Sequence, residues 1–338
     1  MTLRVATIGA GFFSQFHRGS WARIDSVELI AVADQDIELA RSTGFPAYTS
    51  LDDVLADTTL DILDIILPPA AHAATIRTAL AAGIRNIICQ KPFCTSLEEA
   101  RTITSEAKAA GSTLIIHENF RFQPWYRTIH TAIKDGKLGE VQQMTFRLRP
   151  GDGQGPRAYL DRQPYFQQME RFLVHETAVH WIDTFRYLFG NPLAVYADLR
   201  QINPVISGED AGVILFDHPQ GVCTIFDGNR HLDHAADNHR RTMGEALVEG
   251  TAGTLTLAGD GSVRHRAFSD INEIELLSPD THDGFGGDCV HAFQLHAING
   301  FQNGGTLETK VEDYLTVIEI EEAIYRSADT SSKVALLT

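Results

Sequence analysis

The stretch LRVATIGAGFFSQFH, residues 3–17, decides the fold of the first part of the chain. Its apolar start predicts a buried strand, Gly9 permits a tight turn, and the residues after Gly11 predict a helix. A glycine at position 11 also lets a pyrophosphate approach the backbone at the helix N-terminus. Ser14 takes the place of a third glycine and is small enough for close packing of helix on strand. The pattern predicts a dinucleotide site at Gly9, Gly11, Phe12 and Phe13.

A carboxylate at the end of the second strand supports this interpretation. Asp34 closes the apolar run VELIAVAD, residues 27–34, and is placed to accept hydrogen bonds from both ribose hydroxyls of a nucleotide. Its charge would repel a 2′-phosphate, and Asp36 lies close by, so we expect NAD rather than NADP as the cofactor. A glycine turn without a ligand is the alternative, but strand, helix and aspartate occur together here.

Apolar runs alternate with helix-like segments through the first third of the chain. Runs rich in Ile, Leu and Val predict a parallel sheet covered on both faces, and they include LDILDIILPP, IRNIICQKP and STLIIHENF at residues 60–69, 84–92 and 112–120. We therefore expect an α/β Rossmann dinucleotide-binding domain with a doubly wound parallel sheet over residues 1–122.

The pattern changes after about residue 121. Strand-like runs, beginning with GEVQQMTFRLRP at residues 139–150, follow one another with Gly, Pro, Asp and Asn turns between them. A long helical stretch, ERFLVHETAVHWIDTFRYLFG at residues 170–190, precedes most of them. We expect an α+β domain over residues 123–338 with a large, mostly antiparallel open sheet. An open sheet face has to be covered, which predicts a homo-oligomer, a dimer or tetramer, assembled through that face.

Composition limits the classes of function. The 338 residues carry a formal net charge of −16 without a basic cluster, which argues against nucleic acid as a partner. Hydrophobic content of 43% and charged content of 21% are ordinary for a globular protein. Four cysteines in so long a chain predict free thiols. No apolar run is long enough for a membrane span and no signal peptide is recognisable, so we expect a cytoplasmic protein without a membrane partner.

Side chains at the carboxyl ends of the parallel strands are expected to line the ligand crevice of such a fold. The residues predicted there to bind the cofactor are Leu67, Pro68, His72, Gln90, Lys91 and Asn119. His72 is equally well explained as packing at a helix start. The ammonium of Lys91, which is followed by a proline, is expected to point into the crevice, with an exposed structural lysine as the alternative. Trp125, farther along, is explained as well by domain packing as by ligand contact.

The segment HETAVH, residues 175–180, is one residue longer than the HExxH motif of zinc peptidases. In a regular α-helix each residue advances by about 100°, so His175 and His180 would lie on different faces and would not bind one zinc ion. Glu176 and His180 are four residues apart and would share a face. A carboxylate beside an imidazole is typical of a general base. We expect no metal at this segment. The role of His175 stays open between substrate contact and packing.

These residues together resemble the Gfo/Idh/MocA oxidoreductase family, the group of glucose–fructose oxidoreductase and inositol dehydrogenase. The resemblance covers essentially the whole chain and is carried by GAGFFSQFH, PPAAH, QKP, FRFQP and ETAVHWIDTFRYLFG. It implies that Lys91 and His180 are the catalytic residues and that Glu176 stands at the place of a conserved acid. Three positions depart from the family pattern, since Gln90 replaces a glutamate, Glu176 an aspartate and Ala178 a glycine.

The resemblance implies oxidation of a sugar or polyol at a carbinol carbon, with NAD+ as hydride acceptor. His180 would take the hydroxyl proton, and Lys91 would hydrogen-bond the same oxygen. The implied substrate-binding residues are Lys91, Asn119, Arg121, Gln163, Glu176 and His180, with Arg162 and Tyr165 in the loop around Gln163. If the substrate is a cyclic aldose, the anomeric carbon is oxidised and the product is a lactone.

The segments CQKPF, HENFRFQPWYR and ERFLVHETAVHWIDTFRYLFG resemble the branch of the family that contains D-apiose dehydrogenases. Two alternatives stay open, namely a dehydrogenase for an inositol, another polyol or a non-sugar, and an NAD-binding regulator without catalysis. The presence of both Lys91 and His180 argues against the regulator. The glycine-rich segment that starts near residue 282 could reach the active site, whereas His291 and His296 beyond it are more simply explained by packing.

Overall fold

In the computed structural model of the protein, residues 2–282 and 284–336 are described. The chain forms two compact units. The first comprises Met1–Asn119 and Val290–Thr316, and the second comprises Phe120–Cys289 and Val317–Thr338. The expected division into domains 1–122 and 123–338 stays a prediction.

Six strands form the sheet of the first unit. They are β1 Leu3–Ile8, β2 Val27–Ala33, β3 Ala47–Tyr48, β4 Ile62–Ile65, β5 Asn86–Gln90 and β6 Thr113–His117. All neighbouring strands run parallel, in the order β3-β2-β1-β4-β5-β6. All four residues of β4 are buried, as expected of a strand covered on both sheet faces. This strand order is that of a dinucleotide-binding fold, so the predicted doubly wound sheet is confirmed.

Five helices accompany these strands, namely α1 Ser14–Trp21, α2 Ile37–Arg41, α3 Leu51–Asp57, α4 Pro69–Ala81 and α5 Leu97–Ala109. Their first turns follow from local sequence. Asp36, Ser50 and Ser96 accept hydrogen bonds from backbone N–H groups at the starts of α2, α3 and α5. Pro69 is the first residue of α4, where a missing N–H costs no helical hydrogen bond.

Nine strands form the sheet of the second unit. They are β7 Val141–Leu148, β8 Ala194–Arg200, β9 Ala211–Asp217, β10 Cys223–Asn229, β11 Gly244–Gly250, β12 Gly253–Leu257, β13 Val263–Ala267, β14 Glu273–Leu277 and β15 Val334–Ala335. Their order is β14-β13-β12-β11-β7-β10-β9-β8-β15. Only β7 and β10 pair in parallel, and the other pairs of described strands are antiparallel. The predicted large, mostly antiparallel sheet is confirmed.

One face of this sheet is buried and the other is partly exposed. On β7 the alternating residues Met144, Phe146 and Leu148 are buried. Helices α6 Pro124–Lys134 and α7 Val179–Phe189 supply aromatic side chains to the same core, and Trp181 stacks on Phe146 with ring centroids 4.3 Å apart. Helices α8 Cys289–Asn303 and α9 Val311–Thr330 follow in the chain.

Two features differ from the sequence-based expectations. The short strand β3 and the polar strand β13 carry too little apolar pattern to be predicted, and β14, with the sequence EIELL, was not predicted either. The regular helix expected over residues 170–190 is also wrong, because Leu173–Ala178 form a π-helix and only Val179–Phe189 form an α-helix. The phase calculation that assumed 100° per residue therefore does not hold across residues 173–178.

All four cysteines are free thiols, as predicted. Burial raises the pKa of Cys94 to about 12, which makes this thiol a poor nucleophile. The described part of the chain contains no helix that is both long enough and apolar enough to cross a membrane.

Candidate active site

The glycine loop after β1 brings the backbone close to the neighbouring strand. Gly9 has φ +106°, and a Cβ there would lie 2.2 Å from the carbonyl oxygen of Ile66. A Cβ on Gly11, in contrast, would meet no described atom within 4 Å, so a ligand can approach this backbone. Ser14 is buried, and its hydroxyl donates to the Gly11 carbonyl at 2.6 Å. The first glycine is required by packing and the second leaves open space, as the sequence pattern predicts.

Asp34 is oriented by the loop that it faces. Its Oδ2 accepts from the Ala10 N–H at 2.8 Å, and its Oδ1 accepts from the Asp36 N–H at 3.0 Å. A carboxylate oxygen has room for a second hydrogen bond, so both oxygens can still accept from ribose hydroxyls. The side chain of Asp36 accepts from the Glu38 and Leu39 N–H groups and so caps α2. The open approach at Gly11 and the fixed carboxylate of Asp34 fit a bound dinucleotide.

His72, predicted to bind the cofactor or to pack, is fully buried in the first turn of α4. Its Nε2 donates to the Leu67 carbonyl at 2.7 Å. Burial lowers the pKa of His72 to about 4, so the ring is neutral at physiological pH. These contacts favour the packing alternative, in which His72 holds the turn that presents Leu67 and Pro68.

The residue before Lys91 is held by a buried chain of hydrogen bonds. His17 Nδ1 lies 2.8 Å from Asp64 Oδ2, and His17 Nε2 lies 3.2 Å from Gln90 Nε2. Gln90 Oε1 accepts from the Lys91 N–H at 2.8 Å. Since a carboxylate only accepts, this network assigns the proton to Nδ1 and makes Nε2 the acceptor for the Gln90 amide. These hydrogen bonds give a physical reason for Gln90, because its amide both donates to His17 and accepts from Lys91, whereas an ionised glutamate could only accept.

The last strand of the first sheet ends in buried polar residues. Asn119, predicted to contact both cofactor and substrate, is 2% exposed, and Glu118 beside it is fully buried. The Tyr314 hydroxyl lies 3.4 Å from Glu118 Oε2. The contact between Glu118 and Tyr314 joins residues 196 positions apart and has no signal in the local sequence.

In the second unit, His175 and His180 contact different side chains. His175 Nδ1 lies 2.7 Å from Glu321 Oε1 on α9. His180 is 7% exposed, and its ring stacks on Phe120 at 3.8 Å with 3° between the planes. No group of three or more His, Cys, Asp or Glu side chains suited to a metal occurs within residues 2–282 and 284–336. The contact of His175 with Glu321 favours packing, and its role stays a prediction.

The turn that carries Glu176 is fixed by another buried acid. Glu209 Oε1 accepts from the N–H groups of Phe172 and Val174 at 3.2 and 3.0 Å and from the Tyr325 hydroxyl at 2.7 Å. These bonds satisfy donors at the start of the π-helix, which lacks a side-chain cap of its own. π-Turns within helices occur often at functional sites, and this one sits directly before His180.

Arg121, predicted to bind substrate, forms a buried ion pair. Its Nε and Nη2 donate to Asp183 Oδ2 and Oδ1 at 2.7 and 2.5 Å, with side chains 8% and 0% exposed. Such a two-point pair fixes the guanidinium in one orientation and ties the 3₁₀ turn Phe120–Phe122 to α7. Trp125 is fully buried and donates to Gln123 Oε1 at 2.8 Å, which supports packing rather than ligand contact.

Side chains of the loop that is predicted to hold substrate hydroxyls form hydrogen bonds with one another. Arg162 Nε donates to Gln163 Oε1 at 3.1 Å, and Gln163 Nε2 donates to the Tyr165 hydroxyl at 3.2 Å. Burial, and next the carboxylate of Glu176, raise the pKa of Tyr165 to about 12. The charge of Glu176 therefore acts on this loop within the second unit, and binding of substrate by the loop stays a prediction.

The glycine-rich segment near residue 282 also reaches this region. The Phe285 ring lies 6.0 Å from that of Phe120, on which His180 stacks. Farther along, His291 Nδ1 lies 3.1 Å from Ser20 Oγ, and His296 Nε2 accepts from the Glu308 N–H at 2.8 Å. Both histidines have structural contacts, in keeping with the packing explanation.

Comparison with known proteins adds independent information. The family model for the NAD-binding Rossmann fold of the Gfo/Idh/MocA oxidoreductases matches residues 3–118, and the model for the C-terminal domain of the same family matches residues 126–256. The D-apiose dehydrogenase of Paraburkholderia graminis is 32% identical over 98% of this chain and 89% of its own length. The D-apiose dehydrogenase of Rhizobium rhizogenes is 28% identical over 96% of this chain and 95% of its own.

A solved structure resembles the whole chain. It is an oxidoreductase from Agrobacterium radiobacter in complex with NAD+, L-tartaric acid and magnesium, with a TM-score of 0.89, 26% identity, and coverage of 99% of this chain and 98% of its own. The predicted resemblance and the predicted cofactor NAD are confirmed. The chain belongs to the Gfo/Idh/MocA family and is an NAD-dependent oxidoreductase.

Proposed function

We propose that this oxidoreductase is a sugar dehydrogenase that oxidises the anomeric carbon of an aldose to the lactone, with D-apiose as the first candidate. The observation that carries the proposal is the imidazole of His180, held flat against Phe120 next to the turn of Glu176. Two relatives that match nearly the full chain are named D-apiose dehydrogenases, which supports the choice of sugar.

In the proposed mechanism the substrate loses a hydride from carbon and a proton from the hydroxyl oxygen. His180 accepts the proton, and the Lys91 ammonium hydrogen-bonds the oxygen as it becomes a carbonyl. NAD+, when bound, supplies the hydride acceptor. Burial of the His180 ring excludes water from the proton acceptor, and stacking on Phe120 limits the ring to one plane.

The remaining substrate contacts are proposed for polar residues around this pair. Glu176 binds a neighbouring hydroxyl or orients His180, and Asn119 and Gln163 hold other hydroxyls. For Arg121 we propose a supporting role first, because its guanidinium is engaged by Asp183. The proposal keeps a nucleotide-binding domain at residues 1–122 and a substrate domain at residues 123–338.

We also propose a homo-oligomer through the open face of the second sheet. Cross-strand pairing places Leu247, Thr145, Ile225, Leu215 and Tyr196 in one row across five strands. Each of these residues is at least partly exposed, and Leu247 is 36% exposed. A row of this kind across a sheet is suited to pairing with a second copy.

A charge in the middle of that row should break the assembly. We expect Leu247→Lys to shift the protein to a smaller species in size-exclusion chromatography with light scattering, because the lysine would be buried unpaired between two sheets. Leu39→Lys, at a leucine of α2 in the first unit that is 39% exposed, is the matched comparison and should leave the mass unchanged. A wild-type monomer, or an unchanged mass for Leu247→Lys, would contradict the proposed interface.

The substrate assignment is tested by following NADH formation with NAD+ and a panel of aldoses and polyols. We expect the highest kcat/KM with D-apiose and a lactone as product. Highest activity with myo-inositol or another polyol would favour the alternative dehydrogenase. Absence of turnover with every hydroxyl compound, despite NAD binding, would favour a regulator.

Removal of either proposed catalytic group should separate binding from turnover. We expect Lys91→Met and His180→Ala each to lower kcat by about 10²–10⁴-fold, the usual range for a lost general base or charge stabiliser. NADH affinity, measured by fluorescence, should change little. The exposed Lys108→Met serves as a matched control with unchanged kcat. Full turnover in Lys91→Met would refute its role, and EDTA-sensitive activity restored by zinc would revive a metal site.

Replacement of Gln90 by glutamate tests which atoms donate and which accept in the hydrogen bonds that Gln90 forms with His17 and with the Lys91 backbone. In Gln90→Glu a carboxylate faces the acceptor nitrogen of His17, so the folded variant must take up a proton between them. Above about pH 7 the unfolded chain holds neither proton, so the folded state binds more protons and its stability falls as pH rises. We expect the loss of unfolding free energy relative to wild type to grow by about 1–3 kcal/mol from pH 6 to 9.

The control for this test is Gln90→Met, which removes both hydrogen bonds without adding a charge. Its stability loss should be nearly the same at every pH from 6 to 9, as measured by urea unfolding. A pH-independent loss in Gln90→Glu as well would mean that the assigned proton positions are wrong.

A further inference from the structure

Arg230, the residue directly after β10, is a buried cation that the proposed mechanism does not use. Its side chain is 3% exposed. The guanidinium carbon lies 4.8 Å from the centre of the Phe172 ring and 5.1 Å from that of the Tyr159 ring. A charge removed from water in this way is costly unless its N–H groups find acceptors, so the acceptors of Arg230 indicate what this residue holds in place.

On one side Arg230 binds the loop of residues 151–163. Its Nη2 donates to Asp152 Oδ2 at 2.9 Å, and its Nε donates to the Tyr159 hydroxyl at 2.7 Å. That hydroxyl in turn lies 3.2 Å from Asp152 Oδ1. The backbone takes part as well, since the Gly153 N–H donates to the Arg230 carbonyl oxygen at 2.9 Å. The first half of the loop is therefore fixed to Arg230 through both side chain and backbone.

On the other side Arg230 binds the π-helix that leads to His180. Its Nη1 donates to Thr177 Oγ1 at 2.6 Å. Thr177 is 3% exposed and directly follows Glu176 within Leu173–Ala178. Because a guanidinium group is planar and rigid, donors of one group that reach both the loop and the π-helix hold the two segments at a fixed separation.

A second arginine extends this arrangement to Gln163, at the end of the loop. Arg162 Nη2 donates to Asp152 Oδ2 at 3.2 Å, and Arg162 Nε donates to Gln163 Oε1 at 3.1 Å. Burial raises the pKa of Asp152, but the charges of Arg230 and Arg162 outweigh it and hold the pKa below its usual value. Asp152 is thus an ionised acceptor shared by both arginines, and it links Arg230 to Gln163.

We propose that Arg230 is a positioning residue that sets the separation of Gln163 and Glu176, two side chains proposed to hold substrate hydroxyls. A fixed separation lets this pair select a sugar by the spacing of its hydroxyls. Arg230 is itself buried and acts through Asp152 and Arg162 on one side and through Thr177 on the other. The inference rests on the proposed function, although the link between the two segments can be measured without turnover.

Replacement of Arg230 by lysine keeps the positive charge but removes the planar group. We expect Arg230→Lys to raise KM for D-apiose, or for the aldose with the highest kcat/KM, by about tenfold, as for a lost charge-assisted hydrogen bond. Because binding rather than proton transfer is disturbed, kcat should stay within about threefold and KM for NAD+ within about twofold. An unchanged KM for the sugar, or a fall in kcat at unchanged KM, would overturn the proposal.

Tyr159→Phe is a milder variant that stays informative if Arg230→Lys is poorly folded. It removes one hydroxyl between Arg230 and Asp152 and changes no charge at neutral pH. We expect KM for the same sugar to rise about threefold with kcat unchanged. Arg157→Lys, whose native arginine is 74% exposed and paired with Asp161 in the same loop, is the matched control and should leave both constants unchanged. A rise in KM as large in the control as in Tyr159→Phe would contradict the proposal.

A double-mutant cycle tests whether Arg230 acts through Gln163. We expect Gln163→Ala alone to raise KM for the sugar. Arg230→Lys should then raise KM by a smaller factor in the Gln163→Ala background than in the wild type, because the position of a missing side chain no longer matters. The same factor in both backgrounds would overturn the proposed positioning role.

Hydrogen exchange separates this inference from the proposed function. If no sugar is oxidised, the proposed function fails, and mass spectrometry still measures the link between the two segments. We expect Asp152→Asn to speed amide exchange in residues 173–178 by about tenfold, because Asp152 is connected to that segment through Arg230. Arg157→Lys should leave this exchange unchanged. Wild-type exchange of residues 173–178 in both Asp152→Asn and Arg230→Lys would overturn the inference.

Discussion

A single buried carboxylate, Asp64, organises the nucleotide-binding unit. Its Oδ2 receives hydrogen bonds from His17 and from the indole of Trp21, each at 2.8 Å and both from α1. Because α1 begins directly after the glycine loop, these two bonds fix the loop as well as the helix. The same acid accepts from Nδ1 of His17, which leaves Nε2 of that ring to accept from the Gln90 amide. The position of the glycine loop and that of the Lys91 backbone thus both depend on Asp64, at the centre of the sheet.

Such a charge is tolerated because it is shared. An isolated carboxylate without water is costly, but two N–H donors converging on one oxygen lower that cost and confine both donors to a single rotamer. Asp183 and Glu209 are buried acids of the second unit that are also shared, since Asp183 accepts from two nitrogens of Arg121 and Glu209 accepts from two backbone N–H groups at the start of the π-helix.

Sequence reasoning succeeded where the deciding information was local. The first strand, the glycine turn and Asp34 all lie within 32 residues of Leu3, and each has a recognisable sequence pattern. The Rossmann fold and the cofactor could therefore be predicted from them. The π-helix escaped prediction because nothing in residues 173–178 differs from a helical pattern. It arises from Glu209 and Tyr325, which are distant in the chain. Arg162 and Arg230, which both donate to Asp152, likewise come from separate segments, and no local motif joins them.

The proposed roles of individual residues divide in the same way. Lys91 and His180 could be proposed from short motifs in the sequence. The hydrogen bond of Gln90, in contrast, is made with His17, 73 residues earlier, and could be explained only from the structure. The ion pair of Arg121 with Asp183, 62 residues later, likewise leaves no visible mark in the sequence. Contact of Arg121 with substrate stays a prediction.

The contacts of α9 tie the turn before His180 to a distant part of the chain. Glu321 lies against His175, Glu322 pairs with Arg171, and Tyr325 completes the bonds of Glu209. The contact between His175 and Glu321 joins residues that are 146 positions apart. A destabilised α9 would therefore loosen the turn before His180, although none of these three α9 residues is proposed to contact substrate.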